Sequence, residues 1–317
     1  MMNAEELAIK YKDCIKRLIV RVSFEERSIL IPRWLRGNPN ITVSAFFSKR
    51  HSDSANSNKN LFLKDWENTK PVALDTYDPI QSAMEISKLI SKHAEEDRLQ
   101  DTLIDISSFR REELLVLIAR LRSLEIPKLT NCQLAYVCAE KMADDWLSRN
   151  VMSHRSVVSF PGEIWPSRNT KLVVMVGFGE IDRARSIIEN YEPAQLLLGM
   201  GRQEDSINQE LYERNKDFFS DLLRQFNGEE KRFEFSVSDP LQTARDLESV
   251  IKLDDKTNII IAPLHSKLST IGAGLFAHRN PTVQICYAPV EEYNEDVYST
   301  PGDKIRIVPL SDLLDVS

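Results

Sequence analysis

Short apolar runs alternate along the whole chain with longer segments of helical pattern. The short runs predict strands, and the longer segments predict helices that cover a sheet. In the N-terminal half the predicted strands are 18–22, 41–47, 71–74, 102–106 and 133–138, and the predicted helices are 25–35, 79–93 and 110–121. In the C-terminal half the predicted strands are 171–176, 194–198, 233–235, 258–261 and 283–287, and the predicted helices are 181–190, 209–226, 240–252 and 268–278. This alternation favours a largely parallel sheet with helices on both faces.

Four segments of the N-terminal half recur in the C-terminal half in the same order. The matched pairs are Val22–Glu26 with Val176–Glu180, Asp78–Ala83 with Asp239–Ala244, Leu103-Ile104 with Ile260-Ile261, and Ala135–Val137 with Cys286–Ala288. A repeat this long indicates a duplicated domain rather than a solenoid; the alternative is that any two doubly wound domains look alike. We predict an α/β fold of two tandem Rossmann-like units with largely parallel sheets, related by internal duplication.

We place the two units at 1–162 and 163–317. The boundary falls in Pro161–Ser167, where two prolines and a glycine interrupt helix and strand and Trp165 predicts a packed connector.

The very polar stretch Ser52–Asn60 predicts a mobile loop. Asp78 and Asp239 each precede a proline, the pattern of a helix N-cap followed by proline at the first helical position.

Composition narrows the classes of function. The 317 residues carry a net charge of −7, which argues against broad binding to duplex DNA but leaves room for a small anion site. No apolar run approaches the roughly 20 residues that span a bilayer, and the N-terminus has no apolar signal core, so we expect a cytoplasmic protein with no membrane partner. The four cysteines are scattered, and we expect neither a metal nor a cofactor.

Candidate ligand residues follow the strands of the C-terminal half, because open parallel sheets bind ligands outside the carboxyl ends of their strands. They are Gly177, Phe178, Gly179 and Glu180, then Gly201 and Arg202, and then His265, Ser266, Lys267, Ser269 and Thr270. The last group opens a helix, whose N–H groups, dipole, hydroxyls and lysine predict a phosphate cradle. The alternative is a capped helix whose lysine points into solvent. The pair Gly177 and Gly179 lacks the third glycine of a dinucleotide fingerprint, which disfavours an NAD enzyme.

Ser107, Ser108 and Arg110 occupy the equivalent loop of the N-terminal half. Asp105 ends the preceding strand, and its carboxylate either orients this loop or acts chemically. Phe24 and Phe178 either stack on bases or belong to the core.

The loop that contains His265-Ser266-Lys267 resembles the ligand loop of CRISPR-associated Rossmann-fold (CARF) domains, which commonly have Gly-Thr-Lys at this place. Val176–Gly179 is similar to the other ligand loop of that family. The resemblance covers 171–309 and extends through the internal repeat to 18–159. Two fused copies resemble the SAVED arrangement, a duplicated CARF-like sensor of cyclic oligonucleotides. The resemblance implies a sensing chain that acts through a separate effector protein, in an antiviral defence system.

Three classes of function stay open on the sequence. A binding module would hold a phosphate-bearing nucleotide between the two units, with Ser266, Lys267 and Thr270 on phosphate and Arg110 as the pseudo-symmetric cation. An enzyme acting on a nucleotide or nucleoside would use His265 or a loop carboxylate for proton transfer. A scaffold subunit of a defence complex would use its loops for protein contacts alone. The chain has no Gly-x-Ser-x-Gly elbow and no Gly-Lys-Ser/Thr phosphate loop, so the binding module is favoured.

Overall fold

The computed structural model describes residues 1–49, 52–96, 99–226 and 230–314. Up to residue 142 the chain forms α1 (Ala4–Tyr11), β1 (Arg17–Val22), a 3-10 turn (Glu26–Ile29), α2 (Leu30–Trp34), β2 (Thr42–Ser48), α3 (Asp53–Asp65), β3 (Pro71–Leu74), α4 (Pro79–Glu95), β4 (Thr102–Asp105), α5 (Arg111–Arg122), a second 3-10 turn (Ile126–Leu129) and β5 (Gln133–Met142). The middle of the chain forms β6 (Ser148–Val151), β7 (Arg155–Ser156), β8 (Asn169–Met175), α6 (Ile181–Tyr191), β9 (Gln195–Gly201), a 3-10 turn (Gln203–Asp205), α7 (Gln209–Gln225), β10 (Glu230–Phe235), α8 (Pro240–Val250), β11 (Thr257–Pro263), α9 (Lys267–Arg279), β12 (Gln284–Tyr287) and β13 (Val290–Tyr293). The chain then forms β14 (Ser299–Pro309) and α10 (Leu310–Leu314).

The contacts divide the chain into two compact units at other positions than we predicted. The first unit comprises Met1–Met142 and Glu295–Ser317, and the second comprises Ala143–Asn294. The predicted division at 162/163 differs because β14 returns to the first sheet and pairs antiparallel with β5, while β7 pairs with β12 of the second sheet.

The two units have the same strand order. Among the described residues, the first sheet runs β14-β5-β4-β1-β2-β3 and the second runs β10-β9-β8-β11-β12-β7. Counted within each unit, both read 3-2-1-4-5 with parallel pairing, and each carries one antiparallel strand beside its fifth strand. The predicted Rossmann-like α/β fold is confirmed, and the four matched segments lie at equivalent places of this order. Each unit has its topological switch point between its first and fourth strands.

Amphipathic patterning explains the layers. In the first unit, inward residues of β1 such as Val20 and Val22 pack with Ile31 of α2 and Phe62 of α3. In the second unit, the inner face of β8 packs with α6 and α7 through residues that include Ile187 and Phe219. No helix in the described ranges is both long enough and apolar enough to span a membrane.

Helix starts follow the sequence closely. Asp78 accepts the N–H of Gln81, and Asp239 accepts those of Leu241 and Gln242, so both aspartates are the predicted N-caps. Gly272 of α9 faces α8, where an added Cβ would lie 2.4 Å from Cβ of Thr243. This glycine therefore serves close helix packing rather than the approach of a ligand.

Three local predictions were wrong. Ser52–Asn60 is not a loop, because Ser52 caps α3 and the helix buries Ala55 and Phe62 on one face. The predicted helix 25–35 is a 3-10 turn followed by the short α2. The connector side chain Trp165 is 52% exposed, although Asn258 hydrogen-bonds both the N–H and the carbonyl of this residue.

Candidate functional site

Four loops of the second unit converge where β8, β9, β10 and β11 end. A Cβ added to Gly177, after β8, would lie 1.8 Å from the carbonyl oxygen of Leu264, after β11. A Cβ added to Gly201, at the end of β9, would lie 2.4 Å from Cγ1 of Val237, after β10, and 3.0 Å from Nε2 of His265. His265 thus lies at the centre of the strand ends, on the β11 side of the switch point. The glycines are explained by the contact of these loops with one another.

Ser266 fixes the start of α9. Its Oγ accepts the N–H of Ser269 over 3.0 Å and donates to the carbonyl of Val237 over 2.6 Å. The hydroxyls of Ser269 and Thr270 donate back to the carbonyl of Ser266 and are fully buried. Of the predicted cradle, His265, Ser266 and Lys267 are therefore half-buried at the surface, whereas Ser269 and Thr270 face the interior.

The imidazole of His265 is held in one orientation. Its Nδ1 accepts the N–H of Ser266 over 2.8 Å, and the ring packs edge-on against Phe235 with 5.6 Å between centroids. With Nδ1 as an acceptor, the neutral ring carries its proton on Nε2. This nitrogen is the ring atom that faces Gly201.

Arg202 forms an ion pair with Asp246 of the same unit. Its guanidinium lies 2.6 Å from Oδ1 of Asp246, whose Oδ2 accepts the N–H of Ser236 over 2.9 Å. The hydrogen bond to Asp246 raises the pKa of Arg202 above its ordinary value. The predicted ligand cation Arg202 therefore joins the loop after β9 to α8 and to the loop after β10.

Asp205 is a loop-ordering residue that sequence reasoning missed. Its carboxylate accepts the Oγ–H of Ser238 over 2.7 Å and the N–H of Val237 over 3.2 Å, and Ser236 donates to it as well. The run Ser236-Val237-Ser238 before the Asp239 cap was the available signal, because serines in such turns need acceptors. Asp205 and Asp246 together keep the loop beside His265 in place.

Glu180 is buried against Arg183, with Nε and Oε2 3.2 Å apart, and Arg183 also reaches Oγ of Ser148. The carboxylate of this predicted ligand residue points inward. Phe178 packs edge-on against Phe218 at 5.3 Å.

The segment 143–147 covers the loop after β8. The guanidinium of Arg214 lies 4.4 Å from the centroid of Phe178 and donates to the carbonyls of Ala143 and Asp144. Gly179, with a φ of +67°, leaves room for Leu147, whose Cγ would lie 2.6 Å from an added Cβ. Phe178 and Gly179 therefore support this cover within the protein.

The equivalent loop of the first unit is buried and satisfied internally. Asp105 accepts the N–H and the hydroxyl of Ser107, and Ser107 Oγ accepts the N–H of Val137. Ser108 donates to the carbonyl of Arg21. The backbone N–H of Arg110 donates to Glu113 over 2.9 Å, which begins α5. Asp105 thus has the orienting role, and the hydroxyls of Ser107 and Ser108 are occupied within the fold.

A buried ionic network fills the switch point of the first unit. Arg27 pairs with Glu25 and donates to the carbonyl of Val137 over 3.1 Å, and Ser299 of β14 donates to Glu25 over 3.1 Å. Burial raises the pKa of Asp105, close to this network, to about 7. By the matched segments, the second unit has Gly179 where the first unit has Glu25, and Ile181 where it has Arg27. We therefore place the candidate site in the second unit.

The structure thus defines a class, an α/β protein of two Rossmann-like units with its candidate site at one set of strand ends. Among the described residues, no group of three or more acidic, histidine or cysteine side chains is arranged to hold a metal ion.

No protein-family model matches the chain. No curated protein matches it either. Among solved structures, the chain is similar to UDP-GlcNAc 2-epimerase from Neisseria meningitidis bound to UDP-GlcNAc, at 9% identity and a TM-score of 0.24, covering 78% of this chain and 77% of that one. It is also similar to an ACC deaminase homologue, at 9% identity and a TM-score of 0.22, covering 89% of this chain and 77% of that one. Similarity at this level carries no argument about activity.

Proposed function

We propose that the second unit is a binding module for a phosphate-bearing nucleotide, held at the His265-Ser266-Lys267 loop. The observation that carries this proposal is the convergence of four strand-end loops on His265, beside the N-terminus of α9. Strand ends at a switch point are where open α/β sheets bind their ligands. The resemblance to CARF domains makes a cyclic oligonucleotide the first ligand to test.

The chemistry of the loop suits an anion. The N-terminus of the 13-residue helix α9 carries positive partial charge, and Lys267 adds a full charge at its first position. Ser266 keeps the helix end fixed through its two hydrogen bonds, so little ordering is needed on binding. The ring of His265, with its proton on Nε2, lies beside the same helix end.

Binding acts on a partner by changing the populations of conformations. The loops after β9 and β10, joined through Arg202, Asp205 and Asp246, are the elements next to the ligand that such a change would move. A separate effector and an antiviral setting stay predictions of the resemblance.

A second candidate function is turnover of the bound nucleotide. The observation that favours it is the fixed ring of His265, whose Nδ1 is engaged by Ser266 and whose Nε2–H is oriented toward the strand ends. A neutral histidine that presents Nε2–H at a ligand site is suited to donating a hydrogen bond to negative charge that develops on a reacting oxygen.

The test is calorimetric titration and thermal unfolding with mononucleotides, dinucleotides and cyclic oligonucleotides. We expect one ligand class to raise the unfolding midpoint with concentration, and we expect Lys267→Ala to weaken its binding by about tenfold or more. Lys252→Ala is the matched control, because this exposed lysine follows α8 and precedes β11, at the opposite edge of the same sheet. No binding by any member of the panel, or equal binding by Lys267→Ala, would contradict the proposal. Chromatography of the bound nucleotide then separates binding from turnover.

A further inference from the structure

An open cleft of about 540 Å³ lies in the first unit and is lined by residues of that unit alone. It is bordered by the loop after β1, the 3-10 turn Glu26–Ile29, α2 and the first two turns of α3. Its volume falls in the range of small-molecule pockets, roughly 300–1,000 Å³.

One part of the cleft is apolar. Ile29 is buried beneath it, Phe24 is half-buried at its side, and Leu61 of α3 is 41% exposed at its rim. The ring of Phe24 is fixed edge-on against Tyr298, with 5.3 Å between centroids. Asn58 ties α3 to the same loop by donating to the carbonyls of Ser23 and Phe24 over 2.9 Å each. These walls are held in place by the fold and do not need to form around a ligand.

The other part carries charge of both signs. Glu26, Asp53 and Arg33 all border the cleft. None of the three forms an ion pair or a side-chain hydrogen bond within the described part of the chain, although other ionic side chains of this unit pair readily, as Arg21 does with Glu113. Two carboxylates and one guanidinium therefore share a cleft without neutralising one another.

We propose that this cleft binds a short zwitterionic peptide with apolar side chains. The ammonium group would meet Glu26 and Asp53, the carboxylate would meet Arg33, and the side chains would lie between Phe24, Ile29 and Leu61. Charge-assisted hydrogen bonds at both ends of such a ligand give it one orientation.

The balance of charge selects this class over a nucleotide. A di- or triphosphate would bring several negative charges next to Glu26 and Asp53, with Arg33 as the cation among the bordering residues. Like charges brought together in one cleft oppose binding. A neutral apolar ligand would leave all three charged groups without partners.

The test is calorimetric titration of the full chain with the dipeptide Leu-Leu, with N-acetyl-Leu-Leu and with Leu-Leu amide. We expect saturable binding of Leu-Leu, and a loss of about tenfold or more on blocking either terminus. Glu26→Gln should weaken the binding of Leu-Leu but leave the binding of N-acetyl-Leu-Leu nearly unchanged, because the acetylated peptide already lacks the ammonium group that meets Glu26. Arg33→Gln should weaken the binding of Leu-Leu but leave that of Leu-Leu amide nearly unchanged, because the amide already lacks the carboxylate that meets Arg33.

Arg36→Gln is the matched control, since Arg36 is exposed two residues beyond α2 and does not border the cleft. Lys267→Ala should also bind Leu-Leu normally, which separates this proposal from the nucleotide site. Absence of saturable binding at millimolar Leu-Leu would overturn the proposal. Binding that is insensitive to both Glu26→Gln and Arg33→Gln would overturn it as well.

Discussion

The N–H of Ser107 donates to Oδ1 of Asp105 over 2.9 Å, and both side chains are buried at the carboxyl end of β4. Asp105 is only 2% exposed, and its Oδ2 has no hydrogen-bond partner among the residues that the structure describes. A carboxylate placed this way fixes the loop but is costly to ionise.

Asp105→Asn should stabilise the protein at alkaline pH. Burial raises the pKa of Asp105 from 3.8 to about 7, so the folded state holds this proton more tightly than the unfolded state does. The free energy of unfolding should therefore fall as pH rises from about 4 to about 7, by up to about 4 kcal/mol at roughly 1.4 kcal/mol per unit. Asparagine keeps the acceptor for Ser107 and removes the charge. Urea unfolding at pH 5 and pH 8 measures the gain, which should grow with pH.

The control is Asp13→Asn, which removes an exposed carboxylate from the same unit. It should change stability little at either pH. A gain from Asp105→Asn that is equal at pH 5 and pH 8 would show that Asp105 is not the group that titrates.

Regular elements could be predicted because their signals are local. Strand β3 was predicted at 71–74, where it lies, and α9 was predicted within one residue at each end. The place of β14 could not be predicted, because its pairing with β5 joins residues far apart in the chain. The division into units follows from that pairing and could not be predicted either.

In the candidate site, too, local features could be predicted from the sequence and contacts between distant segments could not. His265, Ser266 and Gly201 were predicted from loops after strands, and the fold brings them together. The inward direction of Glu180 was missed, although Arg183 three positions later is the spacing at which helical side chains meet. The contact of Arg202 with Asp246 joins two separate elements and has no local signal.

Breaking the buried pair of Arg21 and Glu113 should be strongly destabilising. Nε of Arg21 lies 2.7 Å from Oε2 of Glu113, and both side chains are buried. Burial alone would raise the pKa of Glu113, but the charges of Arg21 and Arg110 and their hydrogen bonds outweigh it and hold the pKa below its ordinary value. Arg21→Met leaves a buried charge without this partner, which typically costs about 3–5 kcal/mol.

The double variant Arg21→Met/Glu113→Gln provides the check. Its loss in free energy of unfolding should be smaller than the sum of the losses of the two single variants, because no buried charge is left uncompensated. The stabilisation from Glu113 in the native protein should be present above its unfolded pKa and should be lost as pH falls through the lower folded value. Additive single effects in urea unfolding would contradict this interpretation.

Gly177→Ala should destabilise the second unit more than Gly201→Ala. The added methyl at Gly177 would meet the backbone carbonyl of Leu264 at 1.8 Å, whereas at Gly201 it would first meet Cγ1 of Val237 at 2.4 Å, a side-chain atom that can move more easily than backbone. Overpacking typically costs about 1–3 kcal/mol, and the backbone clash should lie at the upper end or beyond. Thermal unfolding ranks the variants. Gly37→Ala, with open space but a φ of +76°, serves as the comparison and should cost about 1 kcal/mol. A Gly177→Ala protein as stable as the wild type would mean that the loops after β8 and β11 do not meet as described.

Ser266→Ala should weaken both stability and nucleotide binding, and Asp239→Ala should affect stability alone. Ser266 caps α9 through the N–H of Ser269 and also binds the carbonyl of Val237, so its removal should cost the roughly 0.5–2 kcal/mol of a cap and about 1 kcal/mol for the second bond. Asp239 caps α8 in the same unit through two N–H groups, and its removal should cost about 1 kcal/mol. Urea unfolding gives the two costs, and titration with the nucleotide that binds the wild type gives the two affinities. If the affinity falls only for Ser266→Ala, the start of α9 is part of the binding site. If it falls equally for both variants, loss of stability in the second unit explains the effect, and the helix start has no direct part in holding the ligand.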